Sequence, residues 1–187
     1  RTSGELRKQL SKRGVNFKLD TSVDSVNDKS VYFSDGDNED FECVLVAVGR
    51  APLTENIGLE EVGIKTDKGK IIVDEYYKTN VNGYYAIGDV LPNQALAHVA
   101  SAEGITCVEK IAGHDVSPID YGNIPGCTYC SPEISSVGLT EKQAIEKGYK
   151  IKVGKFPFSA SGKASASGSI DGFVKVIFDE KFGEWLG

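Results

Sequence analysis

Hydrophobic and polar positions change their spacing several times along this chain, and each change predicts an element. Residues 3–13 read as a short helix, with Ser3 as its candidate N-cap and Gly14 just past its end. Val15 to Leu19 alternates like a strand. Ser30 to Ser34 and Phe41 to Val48 continue that pattern around a polar turn at Asp35 to Asp40. Val44-Leu45-Val46-Ala47-Val48 is apolar at every position, which predicts burial on both faces in the middle of an α/β sheet; Gly49 ends it. Residues 50–70 are loop-rich. Lys70 to Asp74 and Tyr84 to Ile87 read as short strands, the second ending in Gly88-Asp89. From about Gln94 to Ala112, the residues Leu96, Val99, Ala100, Ala102, Ile105, Val108, Ile111 and Ala112 fall at helical spacing, and Gly113 stops the helix.

His114 to Ile124 reads as a linker, with Pro118 and Pro125 as breakers. Thr140-x-x-Gln143 is a capping box that opens a helix over 140–147, closed by Gly148. Residues 151–158 and 172–178 read as strands. The segment 159–169 between them is open to two readings, a flexible linker or an ordered loop. Residues 184–187 begin a return strand carrying Trp185. An unfinished hairpin leaves an edge unpaired and an aromatic without a core. With no methionine anywhere, this predicts an internal piece of a longer protein.

Composition narrows the function classes. Hydrophobic residues make up 40% and charged residues 26%, an ordinary globular balance. The net charge of −6 argues against nucleic acid or an anionic membrane as partner. No apolar run approaches the roughly 18 residues of a membrane span. The four cysteines at 43, 107, 127 and 130 suggest no disulfide scaffold, so a reducing, cytoplasmic compartment is expected.

The strongest chemical signal is Thr79-Asn-Val-Asn-Gly-Tyr-Tyr-Ala-Ile-Gly-Asp89, followed closely by a helix. A strand that ends in Gly88-Asp89 delivers a carboxylate where α/β folds place ligands, and Gly88 allows close backbone approach. The helix start supplies unpaired N–H groups and a positive dipole end for an electron-rich ring oxygen or an anion. The plainer alternative is that Asp89 only caps the helix or turn. Cys127-x-x-Cys130 could be a redox pair or half of a zinc site. It has no second C-x-x-C, no histidine pair at ligand spacing and no strand-to-helix setting, so neither a metal site nor a catalytic residue is assigned.

As a whole string, Thr79 to Asp89 resembles the second FAD-binding signature of the pyridine-nucleotide disulfide oxidoreductases. Val46-Ala-Val-Gly-Arg-Ala-Pro52 is similar to that family's crossover out of the NAD domain. Leu96-Ala97-His98 looks like the flavin-facing helix start of its dihydrolipoamide dehydrogenase branch. Ile124 to Glu133, Val137 to Glu141 and Phe158 to Lys175 resemble the opening of its interface domain.

The resemblance implies α/β and α+β architecture: the C-terminal part of a Rossmann-like NAD domain (1–50), a central FAD-contacting segment (51–115) and a truncated interface, or dimerisation, domain (116–187). It places Gly88, Asp89, Ala95, Leu96, Ala97 and His98 at FAD, and Gly49 and Val23 at NAD. Ala95 departs from the pattern, which often has Met there or nearby. His98 is not implied as the catalytic base; in the family that histidine comes later in the chain. The implied partners are a second copy, as a homodimer, and the lipoyl domain of a 2-oxo acid dehydrogenase complex or glycine cleavage system. The implied reaction of the parent runs from a dihydrolipoyl dithiol through a redox disulfide and FAD to NAD. The chain lacks G-x-G-x-x-G, the family's C-x4-C and its late His-Glu dyad. The expectation is therefore that this piece is inactive alone and does not retain FAD. Two alternatives stand beside this reading: another flavoprotein disulfide reductase, acting on glutathione, mercuric ion or coenzyme A disulfide, and a non-catalytic dimerisation module.

Overall fold

A computed structural model describes residues 2–187 and divides them between Gly49 and Arg50 into two compact units. In the first, α1 (Thr2–Lys12) stops where Gly14 turns with φ +88. Ser3 lies inside this helix rather than capping it. Three strands follow, β1 (Val23–Val26), β2 (Ser30–Phe33) and β3 (Asn38–Asp40), paired antiparallel in chain order. Val23 faces Phe33, and Tyr32 faces Asn38. The β2–β3 turn is held by the Asp35 carboxylate, which accepts from the Asp37 N–H at 3.1 Å. Lys18 donates to Asp37 at 2.7 Å and lies over the Phe33 ring.

Three expectations change here. Asn38 to Asp40 belongs to a strand, not to the turn. Val15 to Leu19 is coil that joins no strand, with Val15, Phe17 and Leu19 exposed. Val44 to Val48 is also unpaired coil, with Leu45 87% and Val48 92% exposed. An apolar run becomes a doubly buried strand only where neighbours supply both ladder hydrogen bonds and covering layers. The described residues of this unit supply neither.

In the second unit, β4 (Thr66–Asp67) and β5 (Lys70–Ile71) form a short hairpin whose turn residues, Lys68 and Gly69, both have positive φ. The strand expected over 70–74 is thus only its first two residues. Leu59, Ile71, Tyr77, Leu91 and Cys107 form the core, with Ile64, Val73, Ala86, Val90 and Ile119 packed on it. Residues 84–87 make a single bridge, Tyr85 to Lys78, rather than a strand. A 3-10 turn over Gly88–Val90 leads to α2 (Ala97–Ile111).

Beyond α2, a 3-10 turn over Tyr121–Asn123 interrupts the expected linker. β6 (Gly126–Thr128) and β7 (Ile134–Ser136) form a hairpin. The predicted capping box is present: the Thr140 hydroxyl accepts from the Gln143 N–H, and the Gln143 side chain accepts from the Thr140 N–H. It opens α3 (Glu141–Glu146), which is pinned by the fully buried Ala144. β8 (Ile151–Pro157) and β9 (Phe173–Asp179) pair along their whole length. Their connection is ordered, which settles its two readings. It carries α4 (Gly162–Ser167), capped by the Ser161 hydroxyl and ended by Gly168 at φ +71. The return segment bridges Trp185 to Phe178, and the Leu186 carbonyl also accepts from the Leu139 N–H at 2.7 Å. Trp185 itself is exposed. No helix among the described residues is long and apolar enough to cross a membrane.

Candidate functional site

The Gly88-Asp89 pair sits where the chain enters α2. Gly88 adopts φ +76, and a Cβ there would stand 3.3 Å from the Ala100 Cβ on α2. Only glycine meets both demands, so the backbone lies directly on the helix. Asp89 is half exposed, and its carboxylate pairs with Arg50 Nη2 at 3.3 Å. Arg50 is mostly exposed, so this contact is worth under about 1 kcal/mol and yields readily to a competing ligand.

α2 begins at Ala97, three residues later than the first predicted turn. Leu96 is its N-cap residue in extended conformation, and no side chain caps the first turn. Ala95, Ala97 and His98 are exposed, while Leu96 is half-buried. The uncapped N–H groups of this first turn need an acceptor from water or a ligand. The buried face of α2 is Val99, Glu103 and Cys107. Ile105, Val108 and Ile111, expected on the inward stripe, face outward. The apolar core lies under the i, i+4, i+8 row instead.

Glu103 was not foreseen as a functional residue. It is 1% exposed. One carboxylate oxygen, Oε2, accepts from the Gly88 N–H at 2.6 Å. The other, Oε1, accepts from Tyr121 Oη at 2.5 Å and from Asn93 Nδ2 at 3.3 Å. Asn93 Nδ2 also donates to Tyr121 Oη at 2.8 Å. Because the Tyr121 proton goes to Glu103, Tyr77 donates to Tyr121 in their 3.2 Å contact. Burial first, then the hydrogen bond to Glu103, pushes the Tyr121 hydroxyl well above the ordinary tyrosine range. Burial also raises Tyr77. A signal was available for Glu103, a carboxylate in register with Val99 and Cys107 on the helix. No local pattern marks Tyr121.

An open cavity of about 630 Å³ lies beside this network, with Lys70, Asp74, Tyr77, Asn93 and Tyr121 among its lining residues. Gly49, at φ +113, and Val23, on the outer strand β1, belong to the first unit and are both exposed. Cys127 lies in β6, and the Cys130 thiol donates to the Pro132 carbonyl at 3.1 Å. All four cysteines are free thiols, and no group of three or more potential metal ligands occurs among the described residues.

Residues 1–104 match the pyridine nucleotide-disulphide oxidoreductase family, and residues 124–187 match the dimerisation domain of the same proteins. The chain belongs to the pyridine nucleotide-disulphide oxidoreductases. Within that class its relatives carry one name repeatedly. It is 50% identical to a dihydrolipoyl dehydrogenase of Rhizobium etli over 97% of its own length and 40% of that protein. It is 44% identical to the dihydrolipoyl dehydrogenase of Zymomonas mobilis over 99% of its length and 42% of that protein. The crystal structure of LpdA from Mycobacterium tuberculosis superposes with a TM-score of 0.89 at 27% identity, covering 97% of this chain and 40% of that one. The chain thus spans about two fifths of the length of the relatives it matches.

Proposed function

We propose that this chain is the part of a dihydrolipoyl dehydrogenase that forms one side of the flavin site, and that it also contributes part of the NAD domain and part of the dimer interface. The observation that carries the proposal is the Gly88-Asp89 turn laid on the uncapped start of α2. The half-exposed Asp89 carboxylate suits the hydroxyls of the ribitol chain. The first-turn N–H groups of Ala97 and His98 suit the electronegative pyrimidine edge of the ring. Leu96 orients that turn, and Ala95 lies on its approach. These donor and acceptor types fit FAD on that side.

FAD, when bound, supplies electron transfer between the enzyme's redox disulfide and a nicotinamide. The residues of this chain hold, orient and shield it. His98 is exposed at the helix start, and its assigned part is contact, not proton transfer. The whole protein oxidises protein-bound dihydrolipoamide and reduces NAD+ in this reading. Its partners are a second copy and a lipoyl domain of a 2-oxo acid dehydrogenase complex or glycine cleavage system, in a cytoplasmic setting. Residues 1–50 close the NAD domain, with Gly49 against the nicotinamide nucleotide and Val23 toward its adenosine part. Residues 51–115 contact FAD, and residues 116–187 open the interface domain.

In the flavin-loaded holoenzyme, Asp89→Ala is expected to weaken FAD binding about tenfold or more, the loss of one or two charge-assisted hydrogen bonds. Flavin release by ultrafiltration reads it. Unchanged affinity would sink the assignment of Asp89. The 187-residue chain alone is expected to purify colourless and without dehydrogenase turnover, because the sequence holds no phosphate-binding glycine loop, no C-x4-C and no late His-Glu dyad. A stably yellow preparation would contradict this.

A further inference from the structure

Glu103 ties together three segments that bracket the proposed flavin site. Gly88 immediately precedes Asp89, Asn93 lies between Asp89 and the start of α2, and Tyr121 leads out of the turn toward β6. All three donate to the one carboxylate. Its neighbours on the buried face of α2 are Val99 and Cys107, small apolar groups. A leucine between them would fill the same space without the several kcal/mol that burying a carboxylate costs. An apolar side chain would also leave the Gly88 N–H without its acceptor. That N–H belongs to a residue at φ +76, packed so near α2 that a Cβ on it would stand 3.3 Å from the Ala100 Cβ.

We infer that Glu103 is a positioning residue for the flavin site: it sets the aim of the Gly88-Asp89 peptide and the spacing of Asp89 from the α2 N-terminus, and Tyr121 locks it from the side of the interface domain. Tyr121 thereby couples the Asp120–Asn123 turn to the carboxylate that faces the ligand. The inference rests on the flavin reading of Asp89 given above. Its first consequence, the restraint of Gly88, does not depend on that reading.

The test compares Glu103→Leu, Glu103→Gln and Tyr121→Phe. Amide hydrogen exchange at Gly88 is read in the 187-residue chain, with β8 and β9 amides as internal controls. FAD affinity is read in the flavin-loaded holoenzyme beside Asp89→Ala. Glu103→Leu is expected to speed Gly88 exchange about tenfold relative to the controls, and to weaken FAD binding by a similar factor. Glu103→Gln retains an acceptor oxygen and should recover most of both. Should Glu103→Leu fail to fold, Tyr121→Phe reads the same coupling, with an expected change of roughly threefold in each measure. A uniform loss of protection that spares no control and is not rescued by Gln would show a purely structural role and overturn the inference. Faster Gly88 exchange with unchanged FAD affinity, while Asp89→Ala does weaken binding, overturns the positioning role and leaves the flavin reading intact. If Asp89→Ala also has no effect on FAD, the flavin reading fails and the positioning role falls with it.

Discussion

The Tyr121 hydroxyl donates to the Glu103 carboxylate at 2.5 Å, joining a turn in the expected linker to the buried face of α2. That bond closes a chain running from Tyr77 through Tyr121 to Glu103 and the Gly88 amide. It makes the polar interior of the second unit a positioned scaffold rather than a set of isolated contacts.

Removing the hydroxyl should be felt at high pH as well as in stability. Tyr121→Phe is expected to cost about 1–3 kcal/mol, the range for a hydrogen bond to a charged group. Tyrosine's ordinary pKa is 10.0, and the folded protein raises it. Between those two values the unfolded chain releases the proton while the folded chain keeps it. The stability that Tyr121 contributes is therefore complete below about pH 10 and declines as pH climbs toward the raised folded value. Urea unfolding from about pH 8 to about pH 11 should show a steeper alkaline decline in the parent than in the variant. Equal slopes would refute the burial of this hydroxyl.

Gly138 controls the seating of the chain's last residues. It has φ +75, and a Cβ there would collide with the Leu186 carbonyl, the acceptor for the Leu139 N–H. Gly138→Ala should destabilise by about 1–3 kcal/mol through left-handed strain and overpacking. Trp185 is the single tryptophan and its indole N–H donates to the Gly187 carbonyl, so its emission reports release of this segment. A variant with unaltered emission and unaltered melting would count against the contact.

The capping box at α3 gives a smaller, local prediction. Thr140→Ala removes the acceptor of the Gln143 N–H and should cost about 1 kcal/mol. α3 has only six helical residues and cannot hold itself by length, since isolated helices shorter than about 12–15 residues are marginal in water. Exchange of the α3 amides should rise ahead of those of β8 and β9. Simultaneous loss of both would argue that the cap is not local.

Thiol reactivity separates Cys107 from the other cysteines. Cys107 is buried against the core, and burial raises its thiol above the ordinary range. A disulfide reagent applied to the native chain should modify Cys43 and Cys127 quickly, Cys130 next, and Cys107 only on the timescale of opening. Four fast thiols in the native state would contradict the burial of Cys107.

Much of the second unit is legible in the sequence. The capping box at Thr140 and Gln143 and the glycine stops at 113 and 148 rest on interactions within a few residues, so the pattern carries them, while the strands of the last hairpin were legible from their residue pattern although their partners lie up to 28 positions apart. The Gly88-Asp89 motif was legible for the same reason. α4 was half legible. The sequence left an ordered loop open for 159–169, but neither the Ser161 cap nor the Gly168 stop was read from it, because its serines and glycines equally suit a linker.

The readings that failed depend on a distant neighbour. Val44 to Val48 has the composition of a buried strand, yet no partner among the described residues pairs or covers it. Tyr84 to Ile87 makes a single bridge, to Lys78, rather than a strand.

By itself the sequence determined the family, the place of the Gly88-Asp89 turn before a helix and the capping box that opens α3. Each is written in contiguous residues, where torsional preference and local hydrogen bonds decide. Tertiary structure alone decided which face of α2 is buried, and that Glu103, Asn93 and Tyr121 converge behind the Gly88 amide. Those side chains come from segments up to 28 positions apart, and only packing brings them within hydrogen-bond reach.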